Sequence, residues 1–170
     1  LADDPKLTVR WEELSPEIQG LYPQENLRQP VRIVVDSQHR VTPEHALVQQ
    51  PGETWFARTR HDSRAWPESV REILVPEHRG HADLVTLMMM LGKQQINSIW
   101  VEAGAHLAGA LLQAGLVDEL IVYLAPKLLG ADARGLCVLP GLEALADAPA
   151  FKFNEIRQVG PDVCLHLTHA

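Results

Sequence analysis

The segment SIWVEAGAHLAGALLQAGLVDEL, residues 98–120, decides the fold class because it joins a strand pattern to a helix pattern through one short turn. The apolar run at 96–101 predicts a buried strand, and the small-residue run at 106–113 predicts a helix with Gly115 at its carboxyl end. Gly104 allows the tight turn between them. A strand, a turn and a helix in this order are typical of an α/β protein.

The same turn is a candidate phosphate site. The first N–H groups of a helix have no partner within the helix, and together with the helix dipole they attract a phosphate or pyrophosphate. The pattern is not a P-loop, because no Gly-Lys-Ser/Thr follows, and its glycine spacing differs from G-x-G-x-x-G. A plain connection is the alternative. Glu102, at the carboxyl edge of the predicted sheet, is a ligand contact, a solvated loop acid or a partner of the helix N-terminus.

Strand and helix patterns alternate through the rest of the chain and end in a hairpin about Gly160-Pro161. We predict a single α/β domain, with a mixed sheet flanked by helices and a C-terminal antiparallel hairpin. Residues 59–80 carry charges and two prolines and look like surface. The predicted strands lie at 31–35, 53–58, 96–101 and 120–125, the helices at 68–74, 83–91 and 106–113, and the hairpin strands at 151–156 and 163–167.

Composition narrows the function classes. A formal net charge of −7 argues against broad affinity for nucleic acid or anionic lipid, so any phosphate must be held by local groups. No apolar run approaches the roughly 20 residues of a membrane span, and the first residues lack a signal-peptide pattern. We therefore expect a cytoplasmic protein that binds neither membrane nor nucleic acid. Cys137 and Cys164 lie in apolar stretches and are expected to be buried free thiols.

Histidines and arginines are the remaining candidates for ligand chemistry. Two His-x-x-His pairs begin at His78 and His166, but no further cysteine or acid completes a metal set with convincing spacing, so we expect no metal. The His-x-Glu and Pro-Cys-x-x-Cys signature of zinc deaminases is absent. Arg10 and Arg32 are either phosphate partners, because a guanidinium binds phosphate in a bidentate manner, or members of surface ion pairs.

Four stretches carry a family resemblance. They are LADDPKLTVR (1–10), QPVRIVVDS (29–37), VEAGAHLAGALLQAGLVDELIVYLAPKLLG (101–130) and FNEIRQVGPDVCLHL (153–167). Together they resemble the reductase domain of the bacterial bifunctional riboflavin-biosynthesis proteins, and the resemblance runs over essentially the whole chain. It implies a dihydrofolate-reductase-like fold and hydride transfer from NADPH to the ribosyl C1′ of 5-amino-6-(5-phosphoribosylamino)uracil. It also implies a homodimer, and an upstream deaminase domain that holds the hydrolase activity and its zinc.

The resemblance also assigns residues. Leu7, Arg10 and Glu102 match substrate-binding positions, with Arg10 gripping the 5′-phosphate. His106 stands within the coenzyme-binding turn, and no separate role is attached to it; no catalytic residue is assigned. The cofactor contacts are expected at Asp3, Ser37, Gly104, Ala105, His106, Leu107, Ala108, Gly109 and Ala110.

The chain departs from the family at its start. It opens at Leu1 without Met, and the family's reductase begins with a strand, a helix and ligand contacts upstream of the LADDP motif. We therefore expect an N-terminally truncated domain, residues 1–170 being its C-terminal part. One alternative is a folded remnant without turnover that serves as a dimerisation or scaffold module. Another is a related reductase with a different small substrate, although Arg10 beside Leu7 favours a phosphorylated sugar.

Overall fold

A computed structural model describes residues 3–169 of the chain. The chain divides into two compact units, Leu1–Leu91 and Gly92–Ala170. Parallel strands, helices and a terminal hairpin confirm the predicted α/β class. The parallel and antiparallel strands lie in separate sheets. No helix within residues 3–169 is long and apolar enough to cross a membrane.

A parallel sheet of three strands forms the centre of the first unit. Its strands are β1 (Arg32–Val35), β2 (Thr54–Arg58) and β3 (Val70–Leu74), and β2 lies between the other two. All five residues of β2 are buried, as expected for a central strand covered on both faces. Strands β1 and β2 confirm the predictions at 31–35 and 53–58.

The prediction for residues 68–74 is wrong, because this segment contains strand β3 and not a short helix. Ile73 is buried, but Glu72 stands half-buried at a position where a strand pattern would carry an apolar residue. Glu72 is tolerated there because its carboxylate pairs with the guanidinium of Arg58 on β2. A charged side chain at an inward position therefore concealed the alternation that signals a strand.

Short elements surround this sheet. Val41, Leu47, Val48 and Phe56 form one apolar cluster in the core of the first unit. The elements are α1 (Pro16–Leu21), α2 (Ala46–Gln49), the paired two-residue strands β4 (Glu77–His78) and β5 (His81–Ala82), and single 3-10 turns at Trp11–Glu13 and Gln24–Asn26.

Helix α3 (Leu84–Lys93) confirms the helix predicted at 83–91. The Oδ1 atom of Asp83 accepts a hydrogen bond from the backbone N–H of Thr86 at 2.9 Å. This capping bond satisfies one of the free N–H groups of the first turn. Leu87 and Leu91 are buried one turn apart, so the apolar stripe of the sequence is the packed face.

The second unit combines one helix with an antiparallel sheet. Helix α4 (Ala105–Gln113) confirms the prediction at 106–113, and Gly115 follows it with a φ of +64°. Such a glycine ends a helix because only glycine adopts this conformation freely. The sheet contains β6 (Glu119–Leu124), β7 (Phe151–Val159) and β8 (Asp162–His169) in the order β6-β8-β7, and a 3-10 turn lies at Leu145–Asp147. Strands β7 and β8 are the predicted hairpin.

The buried strand predicted at 96–101 is not formed. Among the described residues, this segment pairs with no neighbouring strand, and Trp100 is 71% exposed. Its β-branched and aromatic residues favour an extended backbone, but a strand also needs a partner for its N–H and C=O groups.

Cys137 is half-buried and Cys164 buried, and both are free thiols.

Arg32 anchors the loop that leads into β2. Its side chain is almost wholly buried, and its guanidinium donates to the carbonyl oxygens of Gln50, Pro51 and Gly52 and to Oγ1 of Thr54 at 2.9–3.1 Å. All of its side-chain nitrogens are therefore engaged. Arg32 serves the fold and is neither a phosphate ligand nor part of a surface ion pair.

Replacing Arg32 with methionine should lower the free energy of unfolding by about 2 kcal/mol, because hydrogen bonds from a charged donor contribute about 1.5–3 kcal/mol. Arg71→Met is the matched control. Arg71 is exposed and stacks over the ring of Trp55 at 4.6 Å, so its loss should cost at most about 1 kcal/mol. Urea unfolding of both variants makes the comparison, and equal losses would contradict the anchoring role.

Candidate functional site

A buried arginine at the carboxyl end of β2 links the residue after β1 to the middle of β3. Arg58 is the last residue of β2 and has 0% of its side chain exposed. Its Nη2 lies 3.1 Å from Oδ2 of Asp36, the residue that follows β1. Its Nη1 lies 3.1 Å from Oδ2 of Asp62 and 2.8 Å from Oε1 of Glu72 on β3. We call these four residues the Arg58 network, and they lie at the edge where ligands bind in open α/β sheets.

Aromatic rings fix the plane of the Arg58 guanidinium. Its central carbon lies 4.3 Å from the centre of the Phe56 ring and 4.7 Å from that of Trp66. Cation–π contacts of this kind are stronger away from water, because the charge is not screened. Within residues 3–169, Nε of Arg58 has no hydrogen-bond partner, so the carboxylates bind only its two terminal nitrogens.

Asp62 is the most strongly perturbed acid of the network. The Arg64 guanidinium, which donates two hydrogen bonds to Oδ2 of Asp62 and one to Oδ1, holds the pKa of that carboxyl well below its usual range. The contact with His39 and the charge of Arg58 act in the same direction, and burial of the carboxyl opposes them. Asp62 is therefore ionised at neutral pH, which the buried Arg58 requires.

The turn after β1 carries Ser37, a predicted cofactor contact, directly beside the network. Oδ1 of Asp36 accepts from the backbone N–H of Arg40 at 2.8 Å, and Oδ2 accepts from that of Val41 at 3.3 Å. Oγ of Ser37 accepts from the backbone N–H of Ala82 at 3.0 Å. A hydroxyl that accepts in this way keeps its own proton, which can be donated to a ligand.

The predicted residues near the N-terminus lie on the surface of the first unit. Asp3 is exposed, and the neighbouring Asp4 accepts from the backbone N–H of Ala46 at 3.0 Å. Leu7 is half-buried and has a φ of +51°. The Arg10 guanidinium is 69% exposed and lies 2.9 Å from the Glu13 carboxylate. Exposed ion pairs of this type are weak, so Arg10 can exchange its partner for a phosphate.

In the second unit, the amino end of α4 is open. Gly104 precedes the helix, and a Cβ added to it would meet nothing within 4 Å among the described residues. Gly104 has no side chain to cap the helix, so the N–H groups of its first turn stay available to a ligand. Glu102 is exposed beside them and accepts from Nε1 of Trp100 at 3.2 Å.

Gly109, on the buried face of α4, has a different environment. A Cβ there would lie 1.9 Å from the carbonyl oxygen of Val138, and the Val138 N–H donates to the carbonyl oxygen of Ala105 at 2.9 Å. The glycine therefore allows a backbone segment of the same unit to approach the helix. Of the predicted run 104–110, Gly104 and His106 are exposed and Gly109 is buried, while the others are half-buried.

The structure shows one feature of the candidate site that the sequence did not reveal. Ser37 was found by resemblance, but the Arg58 network beside it was missed because Asp36, Arg58, Asp62 and Glu72 are far apart along the chain. An arginine at the end of a strand that is otherwise apolar or neutral was the available signal.

Residues 3–169 contain no group of three or more histidines, cysteines and acids arranged to hold a metal ion.

Comparison with known proteins reveals close relatives. A model of the RibD C-terminal domain family matches residues 1–165. The chain is 79% identical over all 170 residues to the riboflavin biosynthesis protein RibD of Escherichia coli (strain K12) and spans 46% of it. It is 37% identical over 168 residues to the 5-amino-6-(5-phosphoribosylamino)uracil reductase of Buchnera aphidicola subsp. Acyrthosiphon pisum, which covers 99% of this chain and 81% of that protein.

Among solved structures, Acinetobacter baumannii RibD, form 2, is similar along the whole chain. The TM-score is 0.81 at 30% sequence identity, with 99% of this chain and 44% of that chain covered. The chain thus spans about half the length of the RibD relatives that it matches.

The low pKa of Asp62 predicts a pH-dependent contribution to stability. Its pKa in the folded state lies below the unfolded value of about 3.9. The charge therefore stabilises the fold above about pH 4, and this contribution is lost as the pH falls further. Asp62→Asn should lower the free energy of unfolding at neutral pH, and the difference from the wild type should shrink below about pH 4. Urea unfolding across this range measures it.

The exposed Asp147 provides the control for this experiment. Asp147→Asn should leave stability almost unchanged at both ends of the pH range, since surface substitutions usually stay within about 0.5 kcal/mol. An Asp62→Asn variant with the same acid dependence as the wild type would contradict the assignment.

The close approach at Gly109 predicts that alanine is harmful there. Gly109→Ala should destabilise the protein by about 1–3 kcal/mol, because the added methyl forces the Val138 backbone away. Gly92→Ala in α3 should instead stabilise it by up to about 1 kcal/mol, since open space surrounds that glycine and alanine favours a helix. Thermal unfolding tests the opposite signs, and a stabilising Gly109→Ala would refute the contact.

Proposed function

Because the chain belongs to the RibD C-terminal domain family, we propose that it carries the reductase step of riboflavin biosynthesis, the NADPH-dependent reduction of 5-amino-6-(5-phosphoribosylamino)uracil. The observation that carries the proposal is the similarity to the Buchnera reductase. The name of that protein states the reductase activity, and the chain covers 81% of its length. The scaffold alternative is not favoured for the same reason.

The open end of α4 fits the coenzyme. When bound, NADPH supplies the hydride that reduces C1′ of the ribosyl group and so opens the ribose to a ribityl chain. The free N–H groups after Gly104 suit the diphosphate of a dinucleotide, because each donates a hydrogen bond and the helix dipole adds positive potential. With a net charge of −7 for the chain, such local donors have to attract the anion.

Two further side chains suit a coenzyme. Ser37 can donate its hydroxyl proton to a phosphate or ribose oxygen, because its lone pair already binds Ala82. Asp3 is exposed, and its carboxylate can accept from ribose hydroxyls. The remaining cofactor contacts are assigned by resemblance, and they are Ala105, His106, Leu107, Ala108, Gly109 and Ala110.

Arg10, Leu7 and Glu102 are the proposed substrate contacts. The Arg10 guanidinium can bind the 5′-phosphate through two parallel hydrogen bonds, in place of its weak pair with Glu13. Glu102 offers a carboxylate to amino or hydroxyl donors of the aminouracil and its sugar, and its bond from Trp100 orients that carboxylate. These residues bind and orient the substrate, which is the main task of a protein whose cofactor carries the chemistry.

The wider setting follows from the RibD relatives. We propose that the chain acts as the C-terminal part of the reductase domain in a cytoplasmic, homodimeric, bifunctional protein, with the deaminase domain upstream. The share of the relatives that the chain spans supports this arrangement.

The test is NADPH oxidation by the full-length protein with the phosphorylated substrate and with its dephosphorylated analogue. Arg10→Ala should raise KM for the phosphorylated substrate about tenfold or more, since a charge-assisted hydrogen bond contributes about 1.5–3 kcal/mol. The KM for the dephosphorylated analogue should change little. Arg28→Ala, another exposed arginine of the first unit, is the control and should affect neither value.

Two outcomes would contradict the proposal. If the wild-type protein does not oxidise NADPH with this substrate, the activity itself is wrong. If Arg10→Ala raises both KM values equally, the activity stands and the phosphate role of Arg10 is wrong.

A further inference from the structure

We propose that Asp36 and Arg58 are positioning residues of the reductase site, which hold the turn after β1 so that the Ser37 hydroxyl faces the coenzyme. The inference rests on the proposed function, because it takes Ser37 as a coenzyme contact. It assigns a role to two buried residues that the reaction itself does not use.

The Arg58 charge has a fixed position. Its guanidinium is fully buried, stacks on Phe56 and Trp66, and is bound by Asp62 and Glu72 through Nη1. These contacts come from β2, β3 and the loop after β2, and Asp62 among them also lies 3.4 Å from Nδ1 of His39 in the turn after β1. The Nη2 group is thereby presented at a set place beyond the end of β1.

Asp36 attaches the turn after β1 to the Arg58 charge. Asp36 is 5% exposed, and its Oδ2 lies 3.1 Å from Nη2 of Arg58. The same carboxylate accepts from the backbone N–H groups of Arg40 and Val41. One side chain therefore ties the start and the end of the turn 36–41 to the guanidinium.

Contacts on two sides orient Ser37 within this turn. Its backbone follows Asp36 directly, and its hydroxyl is held by the N–H of Ala82 in β5 at 3.0 Å. The hydroxyl is thus fixed from two sides, while its proton stays free to be donated at the carboxyl edge of the parallel sheet. A donor held in advance loses little entropy when the ligand binds.

Stability alone does not account for such a network. A buried ion pair is often matched or exceeded in stability by apolar residues of similar volume, because the desolvation of the charges is costly. Three carboxylates around one arginine at a ligand-binding edge fix one conformation of the backbone. Asp36 accepts from two backbone N–H groups of the turn that carries Ser37, and Asp62 contacts the His39 ring of the same turn at 3.4 Å, whereas Glu72 binds the N–H of Asp62.

Asp36→Asn and Glu72→Gln form a matched pair that separates positioning from stability. Each replaces one carboxylate on the same guanidinium by an amide, so both should lower the melting temperature. In the full-length protein, Asp36→Asn should raise the Kd for NADPH about tenfold, the equivalent of one lost hydrogen bond. Glu72→Gln should leave this Kd within about twofold, which is a small part of one hydrogen bond.

A double-mutant cycle with Ser37→Ala tests whether Asp36 acts through Ser37. Ser37→Ala alone should raise the Kd for NADPH about tenfold. The double variant should have a Kd no higher than that of the single variant with the higher Kd, because the effects of residues that act as one unit are not additive. Amide hydrogen exchange at Arg40 and Val41 should accelerate in Asp36→Asn and not in Glu72→Gln.

The inference is overturned if Asp36→Asn and Glu72→Gln change the Kd alike, or if the effects of Asp36→Asn and Ser37→Ala multiply. A Ser37→Ala variant that binds NADPH normally also overturns it, together with the assignment of Ser37. Failure of the wild-type protein to bind NADPH would instead refute the proposed function, so the two failures are distinguishable.

Discussion

The buried charge of Arg58 is the constraint on which the first unit depends. A guanidinium with no exposed surface must be neutralised within the protein, and Asp36, Asp62 and Glu72 do so from three different segments. The pairing ties the residue after β1, the last residue of β2 and the middle of β3 to one another. These contacts lie at the edge at which a parallel sheet binds its ligands.

Local patterns predicted most of the secondary structure. The β-branched run of β1, the apolar stripe of α3 and the glycine after α4 are signals confined to a few residues, and each was confirmed. Strand β3 was missed because Glu72 occupies an inward position, and its charge makes sense only once Arg58 is known to face it. The strand prediction for residues 96–101 was wrong for the opposite reason. The composition of this segment favours a strand but does not show whether a neighbouring strand is present to pair with it.

The candidate site shows the same division. The resemblance to the riboflavin-biosynthesis reductases supplied Ser37, Glu102 and the amino end of α4, and the dihydrofolate-reductase-like fold that it implied is confirmed by the solved RibD structure. Contacts between distant residues could not be predicted in this way. Asp36 and Arg58 are 22 residues apart, and Val138 covers Gly109 from a loop with no regular pattern. Such contacts follow from the packed structure, and they decide which predicted residues are open to a ligand.

The most direct test of this account is a crystal structure of the full-length protein with NADPH. The account predicts a coenzyme oxygen within hydrogen-bond distance of the Ser37 hydroxyl, with the Asp36–Arg58 pair intact and the turn 36–41 in the same conformation with and without coenzyme. Coenzyme bound away from this turn, or a turn that adopts its conformation only in the complex, would contradict it.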